Sequence, residues 1–262
     1  MSTRLRYLGA AGYEITGPAQ RILIDPFLTG NPTAACGPGD LATPDVILVT
    51  HAAFDHLGDT AAVARRTGAP VLCDPVSREL LWEAGVPRDQ VMSTVMGLCV
   101  EVAGLRIRPL ESRHWSQGTL ADGRLLGGYP LAYLFETEPG VRIYHYADTA
   151  YFDMRYIGEL YRPTVALLGP TLPYEVLDHL VPPAFKLVSG ELDGEEAARV
   201  AEMLGVELAV ACHYIRPDAE VARFLELVPQ FDTSGRRQAV APFAGDTLVL
   251  EPGGGFTVER PG

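Results

Sequence analysis

Apolar and polar positions along the chain fall into short runs, each closed by a turn-forming residue. "LRYLG", "GYEIT" and "RILIDP" read as three strands, with Gly17 and Pro18 turning the second into the third. "DVILVT" is a continuous, β-branched apolar run, the pattern of a buried strand, and it ends at Thr50. "GDTAAVARRTG" reads as a helix capped by Thr60 and stopped by Gly68, and "SRELLWEAG" as a helix capped by Ser77 and stopped by Gly85. "APVLCD" lies between them as a strand. Strand-like runs follow in "LCVEVAG", "LRIRPLES", "YPLAYLFE", "VRIYHYAD" and "TVALLGP". A third helix starts at Asp193, with Ala197, Val200, Ala201 and Leu204 spaced to share one buried face. "VELAVACH" is then a strand, "DAEVARFLELV" a last helix, and "DTLVLEPGG" and "FTVE" closing strands. Strands with helices inserted between them, repeated in two halves, predict an α/β fold of two stacked sheets with helices outside. Neither a low-complexity linker nor a fixed-period repeat divides the chain, so one domain over residues 1–262 is expected.

Composition narrows the function classes. With 47% hydrophobic and 21% charged residues the chain can bury a sizeable core. Its formal charge of −12 repels nucleic acid and anionic lipid, and Arg236-Arg237 is an isolated basic pair. A small-molecule substrate is therefore expected, with no nucleic-acid or membrane partner; the oligomeric state is left open. No apolar stretch approaches the length of a membrane span, and the opening "MSTRLRYLGAAGYEI" lacks the apolar core of a signal peptide. The four cysteines form no CxxC pair, which fits free thiols in a reducing compartment and a cytoplasmic location.

Candidate chemistry gathers at the ends of the expected strands. His51 follows "DVILVT", His114 follows "LRIRPLES", Asp148 ends "VRIYHYAD" and His213 ends "VELAVACH". Strand ends lie along a common sheet edge, so these metal-ligand side chains can converge there. His145 lies three residues before Asp148 and so faces the opposite side of its strand, as a core or supporting histidine. Asp25 in "IDPF" is expected to tie down a turn by hydrogen bonds. Arg113 and Trp115 flank His114 and are candidate substrate contacts, with surface charge and packing as the equal alternative; Tyr214 follows His213 and is a further candidate. Residues 170–192 form a long Pro-rich stretch that reads either as a lid carrying Tyr174 and His179 to the substrate or as a packed helical excursion.

"THAAFDHLGD" resembles the His-x-His-x-Asp-His signature of the metallo-β-lactamase superfamily. "YLGAAGYEI" with "RILIDPFLTGNP", then "IYHYADTAYFDM" and "ACHY", extend the resemblance over nearly the whole chain, toward the ascorbate-phosphate-lactonase-like branch of metal-dependent hydrolases. The resemblance implies an αββα four-layer sandwich with a metal site on one edge, holding one or two divalent ions: zinc first, with manganese or iron as alternatives. It implies that the first ion is held by His51, the second motif histidine and His114. The second is held by Asp55, His56 and His213, and Asp148 bridges the two. Asp55 and Asp148 are then the catalytic carboxylates, with Asp55 orienting the attacking nucleophile. The second motif histidine falls on Ala53, whose methyl group cannot ligate. Every other motif position is intact, a pattern closer to a deliberate His→Ala exchange than to drift, with a natural one-metal or inactive site as the alternative. The second position should then fill in preference to the first, giving about one ion per chain. The resemblance implies hydrolysis of an ester, lactone, amide or phosphodiester. Two further readings remain: a mononuclear non-haem iron oxygenase using His51, His114 and Asp148, and a ligand-binding relative without turnover.

Overall fold

The computed structural model describes residues 2–171, 182–185, 190–251 and 255–261. Among them, an eight-stranded sheet runs, edge to edge, through Phe256–Glu259, Thr247–Leu250, Arg4–Gly9, Gly12–Thr16, Arg21–Ile24, Val46–Leu48, Val71–Cys73 and Val91–Ser93. A seven-stranded sheet runs through Gln238–Val240, Leu208–Ala211, Val165–Leu168, Val141–His145, Leu131–Glu138, Leu105–Glu111 and Val100–Val102. In each sheet, one half pairs in parallel and the other antiparallel.

The period of a strand sends alternate side chains to opposite faces, and both faces of these sheets are apolar. In the first sheet Ile22, Ile24, Val46, Leu48 and Leu72 enter the core shared with the second sheet. Their neighbours Leu23, Ile47, Val49, Val71 and Cys73 enter a separate cluster with Val63, Ala64 and Leu81 of the helices Thr60–Thr67 and Pro75–Glu83. The second sheet is covered in the same way by Ala197, Val200 and Ala201 of the helix Gly194–Leu204 and by Phe224 of Ala219–Gln230. The result is helix, sheet, sheet, helix, the αββα sandwich. Tyr133 ties the sheets together: its hydroxyl donates across the interface to the carbonyl of Val49 or Leu72, at 2.9 and 3.1 Å.

Helix ends follow local chemistry that patterning alone misplaces. Thr60 is not a cap; the helix is preceded by Asp59, whose carboxylate instead accepts from the Leu28 and Thr29 amides and the Thr29 hydroxyl. Ser77 is not a cap either. Asp74 accepts from the amides of Val76 and Ser77, and Pro75 occupies the first helical position, where its missing N–H costs nothing. At Asp193 the expected start holds, with a reciprocal capping box to Glu196. A helix at Arg155–Tyr161 and a hairpin of Ser116–Thr119 with Leu125–Gly128 arise from segments without a clear hydrophobic period. Tyr174 and His179 lie outside the described residues.

One close approach sets the position of a buried carboxylate, Asp148. Gly169 leaves room for the Tyr146 ring, and an added Cβ would lie 1.8 Å from its hydroxyl oxygen. That hydroxyl donates to Asp148 Oδ1 at 2.9 Å. Gly169→Ala is therefore expected to overpack the core and destabilise the fold by about 1–3 kcal/mol. Urea unfolding measures this as a lower midpoint at unchanged slope. An unchanged midpoint would show that Tyr146 does not sit over Gly169.

Candidate metal centre

The C-terminal ends of five strands meet on one edge of the sandwich, and each delivers a polar side chain. Asp25 follows Arg21–Ile24, His51 follows Val46–Leu48, His114 follows Leu105–Glu111, Asp148 follows Val141–His145 and His213 follows Leu208–Ala211. The motif itself turns into a short helix, Phe54–Leu57, which carries Asp55 and His56. Ser116 steadies this turn: its hydroxyl accepts from the Ala52 amide and donates to Asp74.

The approach to the site is strained where the ligands sit. Asp25, Ala147, Asp148 and His213 all have positive φ, at 42°, 59°, 33° and 62°. Such conformations cost non-glycine residues on the order of 1–3 kcal/mol each and persist only where neighbours over-determine them. The neighbours are present. Ser112 Oγ lies 2.8 and 2.7 Å from the carbonyls of Ala147 and Asp148. The His213 amide donates to Ala10, and Thr171 donates to the His213 carbonyl.

Each of His51, His56, His114 and His213 has its Nδ1 engaged by a protein acceptor. His56 Nδ1 is 2.8 Å from Asp25 Oδ2, and His51 Nδ1 is 3.1 Å from Thr50 Oγ1, which itself donates to Asp25. His213 Nδ1 is 2.8 Å from Glu191, and His114 Nδ1 is 3.1 Å from the Gly190 carbonyl. Holding Nδ1 in this way turns Nε2 inward and fixes the tautomer that a metal ligand needs. Nε2 atoms of His51, His56 and His213 lie 3.8, 3.0 and 3.6 Å from Asp148 Oδ2, and His213 Nε2 is 3.3 Å from Asp55 Oδ2. His51 Nε2 is buried without a hydrogen-bond partner, and His56 Nε2 makes no well-directed hydrogen bond although Asp148 Oδ2 lies 3.0 Å away. An unsatisfied buried polar atom costs about 1–3 kcal/mol, and a shared cation relieves both at once. The donor set of neutral imidazoles and carboxylates fits a divalent metal ion. Ligand atoms lie within 4.8 Å of one another in three overlapping groups: His51, His56 and Asp148; Asp55, His56 and His213; His114, Asp148 and Glu191.

The electrostatics divide the histidines. Burial pushes His51 well below the ordinary histidine value and also lowers His114. Burial opposes charge at His56 and His213 too, but it is outweighed at His56 by Asp148 and Asp25, and at His213 by Asp148 and Glu191, so both are raised well above it. Burial likewise disfavours the charged carboxylates. His213 and His56 nevertheless hold Asp148 well below its ordinary value, and His56 and His213 lower Asp55 to about 2. Glu191 goes the other way, pushed up to about 7 by burial and the neighbouring Asp148.

Above the centre lies a cavity of about 490 Å³, lined by Asp55, His114, Asp148, His213 and Glu191 on its polar side and by Ala53, Phe27, Phe54, Trp115, Tyr214 and Ile215 on its apolar side. A polar groove of about 560 Å³ around Arg155, Arg199 and Arg237 is larger but contains none of the clustered ligands. Trp115 lines the cavity and stacks on His114 with ring centroids 4.8 Å apart. Tyr214 offers its ring, because its hydroxyl donates to Pro242. Arg113 turns away: its guanidinium lies over Phe152 and pairs with Glu111. His145 is a buried supporting residue, its Nε2 3.1 Å from the Ala11 carbonyl. Asp25 goes beyond the turn-tying role expected of it, and Glu191 was absent from the sequence-based set.

A model of the beta-lactamase superfamily domain matches residues 20–214. A UPF0173 metal-dependent hydrolase of Rubrobacter xylanophilus is 37% identical over 81% of this chain and 81% of its own length. A relative of the same description from Methanopyrus kandleri is 36% identical over 80% of this chain and 84% of its own. Among solved structures, Igni18, described as a metallo hydrolase from Ignicoccus hospitalis, superposes with a TM-score of 0.74 and 25% identity, covering 96% of this chain and 99% of that one.

The raised pKa values give a sign for metal uptake. In the metal-free protein His56 and His213 carry protons that stabilise the fold at low pH, a contribution lost as pH rises through their raised values. A cation must displace those protons, so Zn²⁺ uptake is expected to release them and to weaken as pH falls. Calorimetry in two buffers of different ionisation enthalpy reads the protons directly. Uptake with no buffer dependence would contradict this charge assignment.

Proposed function

The chain belongs to the beta-lactamase superfamily, and on that premise we propose that it is a metal-dependent hydrolase of a small-molecule ester, lactone, amide or phosphodiester. The observation that carries this reading is the convergence of the buried Nε2 atoms of His51 and His56 on Asp148, which itself lines a cavity with an apolar wall. The names of the relatives support the same class. The ion is a divalent one suited to imidazole and carboxylate, with Zn²⁺ the first choice.

His51, His114 and Asp148 would hold one ion, and Asp55, His56, His213 and Asp148 the other. A divalent cation held there would lower the pKa of water and polarise the bond to be cleaved. The chain's own residues supply the rest. Asp55 stays ionised, reaches the cavity and orients the attacking water by accepting a hydrogen bond from it. Asp148 is held in one orientation by Tyr146 and positions its free oxygen among the three Nε2 atoms. Phe27, Phe54, Trp115 and Ile215 bind an apolar part of the substrate and exclude water around the reacting bond.

Purified protein should hydrolyse at least one member of a panel of apolar esters, lactones, amides and phosphodiesters. Stripping with a chelator should abolish the activity and Zn²⁺ or Mn²⁺ should restore it. Asp148→Asn is expected to lose metal and lower kcat/KM by at least about 100-fold. Oxygen uptake with Fe²⁺ in place of hydrolysis would favour the oxygenase using His51, His114 and Asp148. Ligand retained but unconverted by the metal-loaded protein would favour a binding role.

A further inference from the structure

Ala53 leaves the first ion position one donor short, and a carboxylate from a distant part of the chain stands beside the remaining donors. Glu191 is 1% exposed, and with Ala53, His114 and Asp148 it lines the same cavity. Ligand atoms of His114, Asp148 and Glu191 lie within 4.8 Å of one another. The backbone explains how it arrives there. The Gly190 carbonyl holds His114 Nδ1, and Leu192 bridges to Pro170, so the residues on either side of Glu191 are both pinned to the site. One oxygen of the carboxylate faces His213 Nδ1 at 2.8 Å. A carboxylate has a second oxygen with its own lone pairs.

We propose that Glu191 is a metal ligand that replaces the imidazole missing at position 53, so that the first ion is held by His51, His114, Asp148 and Glu191. The inference rests on the metal-dependent reading of the site. Charge balance supports it independently. Asp25, Asp55, Asp148 and Glu191 place four carboxylates at or against the centre. With Glu191 ionised and the four imidazoles neutral, their charge matches two divalent cations. Ala53 then belongs to a natural site with a different donor set, in which an oxygen stands where a nitrogen was lost. The exchange makes the first position richer in oxygen and more receptive to Mn²⁺ or Fe²⁺ than an all-imidazole site.

The test compares the parent full-length chain with Glu191→Gln, Ala53→His and the double variant, each stripped of metal and titrated with Zn²⁺ against a chromophoric chelator. The glutamine keeps an acceptor for His213 Nδ1 but removes the anionic donor. The parent is expected to take up two ions per chain. Glu191→Gln should weaken one of them by at least about 100-fold, weaken the other, whose His213 keeps an amide acceptor, by much less, and lower the Co²⁺ d–d absorption of the lost position. Adding Ala53→His to Glu191→Gln should restore the second ion. If the parent and Glu191→Gln bind two ions alike, or if Ala53→His fails to restore a lost one, Glu191 is not a ligand of the first position. A parent chain that binds no ion would overturn the metal-dependent reading itself, along with this assignment.

Discussion

The site depends on one carboxylate that never meets solvent. Asp25 is fully buried and has no direct part in the cavity, yet its two oxygens receive the Thr50 amide, the Thr50 hydroxyl and His56 Nδ1. Through Thr50 the same carboxylate fixes His51. A buried anion is costly unless fully hydrogen-bonded, so the motif loop can close only in the one arrangement that satisfies it. That arrangement turns both imidazoles with Nε2 toward Asp148. The strand Arg21–Ile24 therefore contributes to the chemistry without supplying a ligand. Its parallel pairing with Val46–Leu48 is what brings Asp25 under the motif.

Backbone strain follows the same logic. The left-handed conformations at Asp25, Asp148 and His213 are unfavourable for those residues taken singly. They are stabilised by a few specific bonds, from Ser112, Thr171 and Ala10, which lie on other strands or loops. The core supplies the stiffness these bonds require. Tyr133 and Tyr146 are fully buried and use their hydroxyls to connect sheet to sheet and strand to site. Substitutions in this polar scaffold should therefore damage the centre without touching any ligand.

Much of this was legible in the sequence because it rests on local rules. Alternation and apolar runs marked most of the strands, and the rule that strand ends share an edge brought His51, His114, Asp148 and His213 together. The helix start at Asp193 could be read from the spacing of the apolar residues that follow it. What escaped depends on partners far apart in the chain. Thr60 read as the helix cap, whereas Asp59 precedes the helix and its carboxylate is committed to residues 28 and 29. Asp74 caps its helix while also holding Ser116, a contact across 42 positions. Arg113 read equally as a substrate contact or as surface charge and packing, and its guanidinium lies over Phe152 and pairs with Glu111. Glu191 carried no signal at all. It sits in a run without periodicity, and only the packing of Gly190 against His114 reveals its proximity to the centre.

The division of donors between the two sheets has a consequence for how the protein comes apart. His51, Asp55 and His56 follow a strand of the first sheet, whereas His114, Asp148 and His213 follow strands of the second. Ions held among them would act as rivets between two layers that otherwise adhere through apolar contact and a few hydrogen bonds. Prising the layers apart would then require releasing the ions first, so metal supply would govern the protein's lifetime against proteolysis as well as its turnover.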